Sequence, residues 1–465
     1  MAQHPTPVGP KAGALARFLR ATEIDLRLLG MVAALIAIWI GFHFYPGLRA
    51  FVVSLRDALF LGVGTPGDAL ALLAPGVLWE DGAFLTPRNL WNITVQTASV
   101  GIMACGMVLV IITRHIDLSV GSLLGFVAMM MGMFQVEWFP QLVGLGHWSI
   151  VVLTVLLGVT VGAMVGALHG WLVAYRGIPA FIVTLGGLLV WRGMAFLLAS
   201  GRTISPVDPT FALLGGGPFG SIGAVGSWVV GGLGCAAVLW LLWSNRRNRR
   251  RHGFAQRPIW AEYVLATIGC GICIGATLLV NSHPWPPGIV QRYAEANNIV
   301  VPEEGLFISH GFAIPVLILL AVAVVMTVIM ARTRFGRYVY AIGGNPDAAL
   351  LAGINVKWMT VKIFALMGFL TGLSAVVASA RLNSATNALG TLDELYVIAA
   401  AVIGGTSLAG GVGTIYGAIL GALVMQSLQS GMVLIGFDAA IQNIVVGLVL
   451  VLAVYVDTAY RRGAK

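Results

Sequence analysis

The chain has 465 residues, 58% hydrophobic and 10% charged, with a mean hydropathy of +0.91. Water-soluble domains carry about 25% charged residues, so this composition excludes a soluble globular protein and predicts a surface that mostly faces lipid. The net charge of +9 does not point to nucleic acid, because the arginines and lysines gather in particular loops between apolar runs.

Residues 1–27 are polar and mildly basic, and no small-residue cleavage site follows the first apolar run. That run reads as a retained helix. A crossing helix needs about 20 mostly apolar residues. In chain order the candidates are 28–46, 90–113, 118–136, 149–174, 179–199, 226–243, 259–280, 311–331, 361–380, 395–412, 413–435 and 438–457. The expectation is an all-α polytopic membrane protein with about 12 spans, in the range 10–12, some broken or re-entrant. The count is least fixed over 395–435, where glycines interrupt the pattern.

Placing the N-terminus in the cytoplasm puts 20 of the 27 Lys and Arg on the cytoplasmic side, 6 on the other and Arg192 inside a span. That asymmetry predicts cytoplasmic termini, with 28–457 as the membrane domain and 458–465 as a tail. Residues 200–310 differ in texture and read as an insertion: Gly/Pro-rich pieces, two plain apolar spans, and a basic loop, Arg246–Arg251. The loop is better read as a topology anchor meeting anionic headgroups than as a partner dock.

Two glycine ladders recur at four-residue spacing: Gly158, Gly162, Gly166 and Gly170, then Gly413, Gly417 and Gly421. Such spacing lets helix backbones approach closely. Two apolar stretches are interrupted by small and polar residues, at Arg114–Ser122 and at Gly404–Gly411. Paired broken helices point to a transporter pathway; chance in a Gly-rich membrane protein explains them as well.

Chemistry-bearing residues are few. None of the four lysines, Lys11, Lys357, Lys362 and Lys465, follows a glycine, so there is no phosphate-binding Gly-Lys-Ser/Thr loop. Any ATP hydrolysis belongs to a separate protein. Ionisable groups within or beside spans are limited to Asp117, His169, Arg192, Asp393, Glu394 and Asp438, with no chain of carboxylates for ion coupling. His169 reads as a hydrogen-bonded packing residue, and Arg192 as structural, paired with carbonyls or Asp438. Cys105, Cys235, Cys270 and Cys273 read as buried packing residues, with no metal site. Asn92-Ile93-Thr94 matches a glycosylation pattern inside an apolar span and is set aside. No catalytic set emerges.

The loop 332–360 holds a short capped helix. Asn345 suits the N-cap, Pro346 the first helical position, Asp347 the positive helix end and Gly353 the stop. An apolar helix of about two turns there either docks into a groove on a partner or lies on lipid.

Four motifs in order carry a resemblance. They are Ile116-Asp117-Leu118-Ser119-Val120-Gly121-Ser122; Pro179–Gly186 followed by Arg192-Gly193; Gly336–Asn355; and Ala401–Leu408 with Gly410–Gly413. They resemble monosaccharide ABC transporter permeases of the ribose/xylose/galactose type, over most of 85–200 and 311–457. The insertion and the Gly336–Asn355 wording look most like the xylose branch. Where this chain has Arg114-His115, relatives more often have small residues.

The resemblance implies a multi-pass inner-membrane subunit importing a monosaccharide, with two permease copies, two cytoplasmic ATPases holding ATP and Mg, and a periplasmic sugar-binding protein. This chain itself would bind no cofactor. The coupling helix would comprise Gly343, Gly344, Asn345, Pro346, Asp347, Ala348, Ala349, Leu350, Gly353 and Ile354. The broken helices would line the pathway, with Asp117, Ser119, Ser122, Thr406 and Ser407 as candidates.

Overall fold

The computed structural model describes residues 14–61, 63–80, 82–144, 146–302 and 305–463. Residues 1–13 of the expected N-terminal segment, and the last two of the expected tail, lie outside them. Among the described residues the chain is helical, with isolated β-bridges but no strand. A short α1 (Ala14–Thr22) leads into the long α2 (Leu26–Arg56), and α3 (Pro66–Ala71) and α4 (Pro75–Glu80) form the connection to α5 (Pro87–Ile112). Next come α6 (Val120–Met133), α7 (Pro140–Val143), α8 (Trp148–Arg176), α9 (Ala180–Leu198) and α10 (Pro209–Ala212). The stretch expected as an insertion holds α11 (Gly223–Arg251), α12 (Ile259–Asn281) and α13 (Pro287–Ala296). The last third is α14 (Ile314–Arg332), α15 (Arg334–Gly344), α16 (Pro346–Leu351), α17 (Val356–Leu382), α18 (Asp393–Ile403), α19 (Ile415–Leu434) and α20 (Ala439–Gly463).

Ten helices among the described residues are long and apolar enough to cross a membrane. The two expected spans that fall short are 395–412 and 438–457. The first is only the 11-residue α18, which stops at Gly404 and Gly405; Gly405 takes the left-handed φ of +85° that glycine adopts without strain. The second has a described apolar stretch of Ala439–Tyr455.

α5 is the axis of the fold. In its most apolar stretch 94% of residues are buried, against 78% for the helical run Val120–Val143 and for α17, and 11% for α11 and α12. α17, α19, α14 and α18 pack around α5. The closest packing joins α8 to α17. A Cβ on Gly162 would strike the Gly368 carbonyl, and one on Gly166 the Phe364 carbonyl. With lipid outside there is no hydrophobic drive between helices, so this backbone proximity supplies the dispersion contacts that hold them.

The second ladder needs correcting. Gly417 and Gly421 press on the backbone of Gly404 and Ala400 in α18. Gly413 is not on that helix: α19 begins at Ile415 with Thr414 as its cap, and Gly413 lies in the preceding loop against Thr406 and Ile112. The cysteines also differ from expectation: Cys105 is buried, while Cys235, Cys270 and Cys273 are half-buried between α11 and α12.

The basic run Arg246–Arg251 is not a loop but the last turns of α11, and acids tie it down. Glu23, just after α1, accepts from Arg249 Nη2 and Arg257 Nη2, each at 2.7 Å, and Arg246 Nη1 donates to Glu262 Oε2 at 2.6 Å. The two arginines hold the Glu23 carboxyl at about 2, below its usual 4.5. Phe18 of α1 packs by Trp260 of α12, so the N-terminal helix is fastened to the α11–α12 hairpin.

Candidate functional site

The loop between α14 and α17 folds into two short helices because its sequence caps both. The Thr333 hydroxyl accepts from Gly336 N–H at the start of α15. Asn345 Oδ1 accepts from the N–H groups of Asp347 and Ala348, each at 3.0 Å, which satisfies two free donors at the start of α16. Gly353, at φ +82°, ends the turn. One face of α16 is anchored through buried Ala349, while Leu350 and Leu351 are 62% and 89% exposed.

This loop meets both helix breaks at one junction. The α5 helix gives out at Ile112, and Arg114 takes a left-handed φ of 64°, uncommon for a residue with a Cβ. Its guanidinium forks onto the end of α15: Nε donates to Gly343 O at 3.0 Å and Nη2 to Gly344 O at 2.7 Å. Those terminal carbonyls are the negative end of a helix, where a cation is favoured. The second break joins through Gly411 N–H, which donates to Ile112 O at 2.9 Å, and Gly413 O, which accepts from Tyr340 O–H at 2.8 Å. A Cβ on Gly343 would collide with Ile112 O and Gly411 N. Three segments distant in sequence are thus in backbone contact, and a shift of one is felt by the others.

Deeper in, the first break is held by a chain of hydrogen bonds. Trp191 Nε1–H donates to His169 Nε2 at 3.1 Å. That assigns the proton to Nδ1, which donates to Ser119 Oγ at 3.3 Å; Ser119 O–H donates to Asp117 Oδ1 at 2.6 Å. Arg192 is met by carbonyls, not Asp438: its Nη1 donates to Asn387 O at 2.6 Å and Leu389 O at 2.9 Å.

The five expected pathway residues do not share an open surface. Asp117, Ser119, Ser122, Thr406 and Ser407 are all buried. Asp117 and Ser119 are spent on the chain just described. Ser122 sits near the start of α18, and Thr406 and Ser407 follow its end. The hydroxyls of Ser122, Thr406 and Ser407 find no hydrogen-bond partner among the described residues.

Sequence reasoning missed three features. It passed over Gly368 and Gly372 in α17, which face the α8 ladder, although their spacing is visible. It treated Arg114 only as an oddity. It also set Asn92 aside with the glycosylation pattern, although Asn89, Asn92, Gln96 and Ser99 repeat at helical spacing along one face of α5. These four are half-exposed on a helix that is otherwise almost wholly buried.

Comparison with known proteins reads the same architecture. The family model for the branched-chain amino acid transport system / permease component matches residues 89–454. The chain belongs to this permease family. Among its relatives, the xylose transport system permease protein XylH of Haemophilus influenzae is 37% identical over 385 residues, covering 82% of this chain and 92% of the relative. XylH of Escherichia coli is 37% identical over 382 residues, with 82% and 88% covered. The ribose import permease protein RbsC of Escherichia coli is 33% identical over 374 residues, with 80% and 87% covered. No solved structure matches significantly. The permease is therefore a multi-pass inner-membrane transport subunit of the monosaccharide ABC type, not an enzyme.

Proposed function

We propose that the permease is the membrane subunit of an ATP-driven importer whose sugar is xylose. Two copies form the pathway, two cytoplasmic ATPases with bound ATP and Mg drive it, and a periplasmic sugar-binding protein delivers the substrate. The sugar follows from the XylH relatives, whose names give xylose.

Both termini lie in the cytoplasm in this reading, and the chain crosses twelve times: the ten long helices, α20, and a broken crossing made of the 383–392 segment with α18. Arg246–Arg251, Arg332, Arg334 and Arg337 then share the cytoplasmic face, as the bias of basic loops requires. The segment 332–360 is the coupling loop, and 200–310 is an insertion into the permease core.

The junction carries the reading. A capped helix offers two exposed leucines, Leu350 and Leu351, to a partner's groove. Directly behind it the Arg114 fork joins its root to both helix breaks, so a push on α16 reaches the membrane interior. The substrate path near the breaks closes over Ser122, Thr406 and Ser407 in this conformation, and their unpaired hydroxyls become available when the junction moves.

The test is reconstitution in vesicles with the cognate ATPase and binding protein, measuring uptake of labelled xylose, ribose and galactose. ATP-dependent uptake of xylose above the other two is expected. Faster ribose uptake would reassign the sugar, and uptake by the permease alone without ATP would remove the importer reading.

A further inference from the structure

The polar face of α5 is the feature that the junction does not explain. Asn89, Asn92, Gln96 and Ser99 fall at i, i+3, i+7 and i+10 and form one stripe about 15 Å long, half the depth of a bilayer core of about 30 Å. Amides at membrane depth face the protein interior or a wet cavity, because lipid offers them no partners. Here two of the four, Asn92 and Gln96, border a cavity, and the others bond to neighbouring helices. Gln96 Oε1 accepts from Gln426 Nε2 of α19 at 3.0 Å, and the same amide donates to Gln429 Oε1 at 2.9 Å. Asn89 Oδ1 accepts from Ser430 O–H at 2.9 Å.

Beside this row is a cavity of about 280 Å³, walled by Trp91, Asn92, Gln96, Arg381 and the Gly215–Gly217 backbone. The Asn92 amide and the Arg381 guanidinium make no hydrogen bond to another described residue. At the bottom of the stripe the Ser99 and Ser374 hydroxyls are 2.8 Å apart. Below them the same face continues as Met103 and Met107, both fully buried.

We propose that this cleft is the outward-facing sugar site of the permease, taking a neutral monosaccharide, with Met103 and Met107 as its closed floor. This deepens the importer reading and rests on it. An amide offers both a donor and an acceptor, as a sugar hydroxyl does, so a row of amides matches a ring of hydroxyls. No carboxylate lines the cavity, which disfavours a cation. The Gln96–Gln426–Gln429 bonds already exist, so a sugar exchanges one set of hydrogen bonds for another and gains little from each. A weak site of this kind releases its cargo.

The experiment uses the full transporter in vesicles, with xylose-loaded binding protein at saturation. Asn92→Leu and Gln96→Leu, each apolar and of similar size, should lower ATP-dependent xylose uptake at least tenfold, with ATPase binding unchanged. Wild-type uptake by both variants overturns the sugar site and leaves the importer reading standing. A wild-type transporter that takes up no sugar with ATP removes that reading, and this site with it.

A second measurement does not depend on transport. Asn92→Cys, in a chain whose own four cysteines are replaced by alanine, should react with an impermeant maleimide added outside, and xylose-loaded binding protein should slow the reaction. No labelling from outside, or labelling unaffected by the loaded binding protein, overturns the proposal.

Discussion

α5 and the α11–α12 hairpin are equally plausible membrane helices by their apolar content, yet 94% of one span window is buried and 11% of each of the others. The difference lies in what covers them. α5 is enclosed by α14, α17, α18 and α19, while α11 and α12 pack chiefly on each other. In a membrane, leaving water is common to every span and decides nothing about neighbours. Small residues and polar pairs choose the neighbours. α5 carries a polar stripe bonded to α19 and α17, whereas the hairpin turns Trp228, Trp240, Trp243 and Trp260 outward.

The sharpest way to break this contrast is to add bulk on each side of it. Gly166→Leu drives a side chain into the Phe364 carbonyl of α17, and a helix backbone cannot step aside cheaply. It should cost about 3 kcal/mol or more, read as a large drop in the unfolding midpoint in detergent. Gly232→Leu on α11 meets nothing within 4 Å and should shift the midpoint by no more than about 0.5 kcal/mol. Equal losses in the two variants would show that the hairpin is packed as closely as the centre.

Next in size is the junction. Arg114→Ala removes two charged hydrogen bonds, each about 1.5–3 kcal/mol, and should cut coupled uptake at least tenfold while ATPase binding persists. Arg114→Lys keeps the charge and loses the fork, so partial rescue is expected. Gly353→Arg forces a bulky residue into φ +82° at the stop of α16. It should abolish ATPase pull-down while the permease still inserts; normal pull-down would count against α16 as the docking helix.

Smaller effects belong to the segment between α12 and α14. His283 and His310 stack with ring centroids 4.3 Å apart, beside Trp91. Burial, with the neighbouring His310 second, pushes His283 down to about 4 from 6.5, and burial lowers His310 as well. The unfolded segment therefore takes up protons first. The stability of this cap is full above pH 6.5 and is lost as pH falls toward about 4. The hydrogen-exchange protection factors over 282–302 and 305–313, corrected for the slower intrinsic exchange in acid, should fall at pH 5 relative to pH 7.5, and His283→Phe should remove most of that dependence.

The smallest change is expected from Glu23→Gln. Its depressed carboxyl pKa gives a contribution present above 4.5 and lost only near pH 2. The pairs are partly solvent-exposed and screened, so the loss should show as faster proteolysis at α1 with uptake unchanged. An unaltered cleavage rate would mean that Phe18 and Trp260 hold α1 without the ion pairs.

Much of this molecule is legible in the order of its residues. The long apolar runs, the capped loop at Asn345–Gly353 and the α8 glycine ladder are local patterns, each set by residues a few positions apart. The surroundings of the expected path residues are not legible in that way. Asp117 and Ser119 belong to a motif that looks like a site, but they bond to each other and, through Ser119, to His169, 50 residues away, which in turn accepts from Trp191. Gly413 shares its ladder's spacing, yet Thr414 starts the helix one residue too late to include it.

By itself the sequence determined that this chain lives in lipid, where its helices run and where one of them must stop and turn, because hydropathy, caps and glycine φ preferences act within a few residues. Only the tertiary structure decided that α5 is the enclosed axis, that Arg114 reaches the Gly343 and Gly344 carbonyls, and that Asn92 and Gln96 of α5 share a cavity with Arg381. Those outcomes depend on which surfaces meet after the helices are formed. Close backbone approach and buried hydrogen bonds, which have no fixed distance along the chain, make that choice.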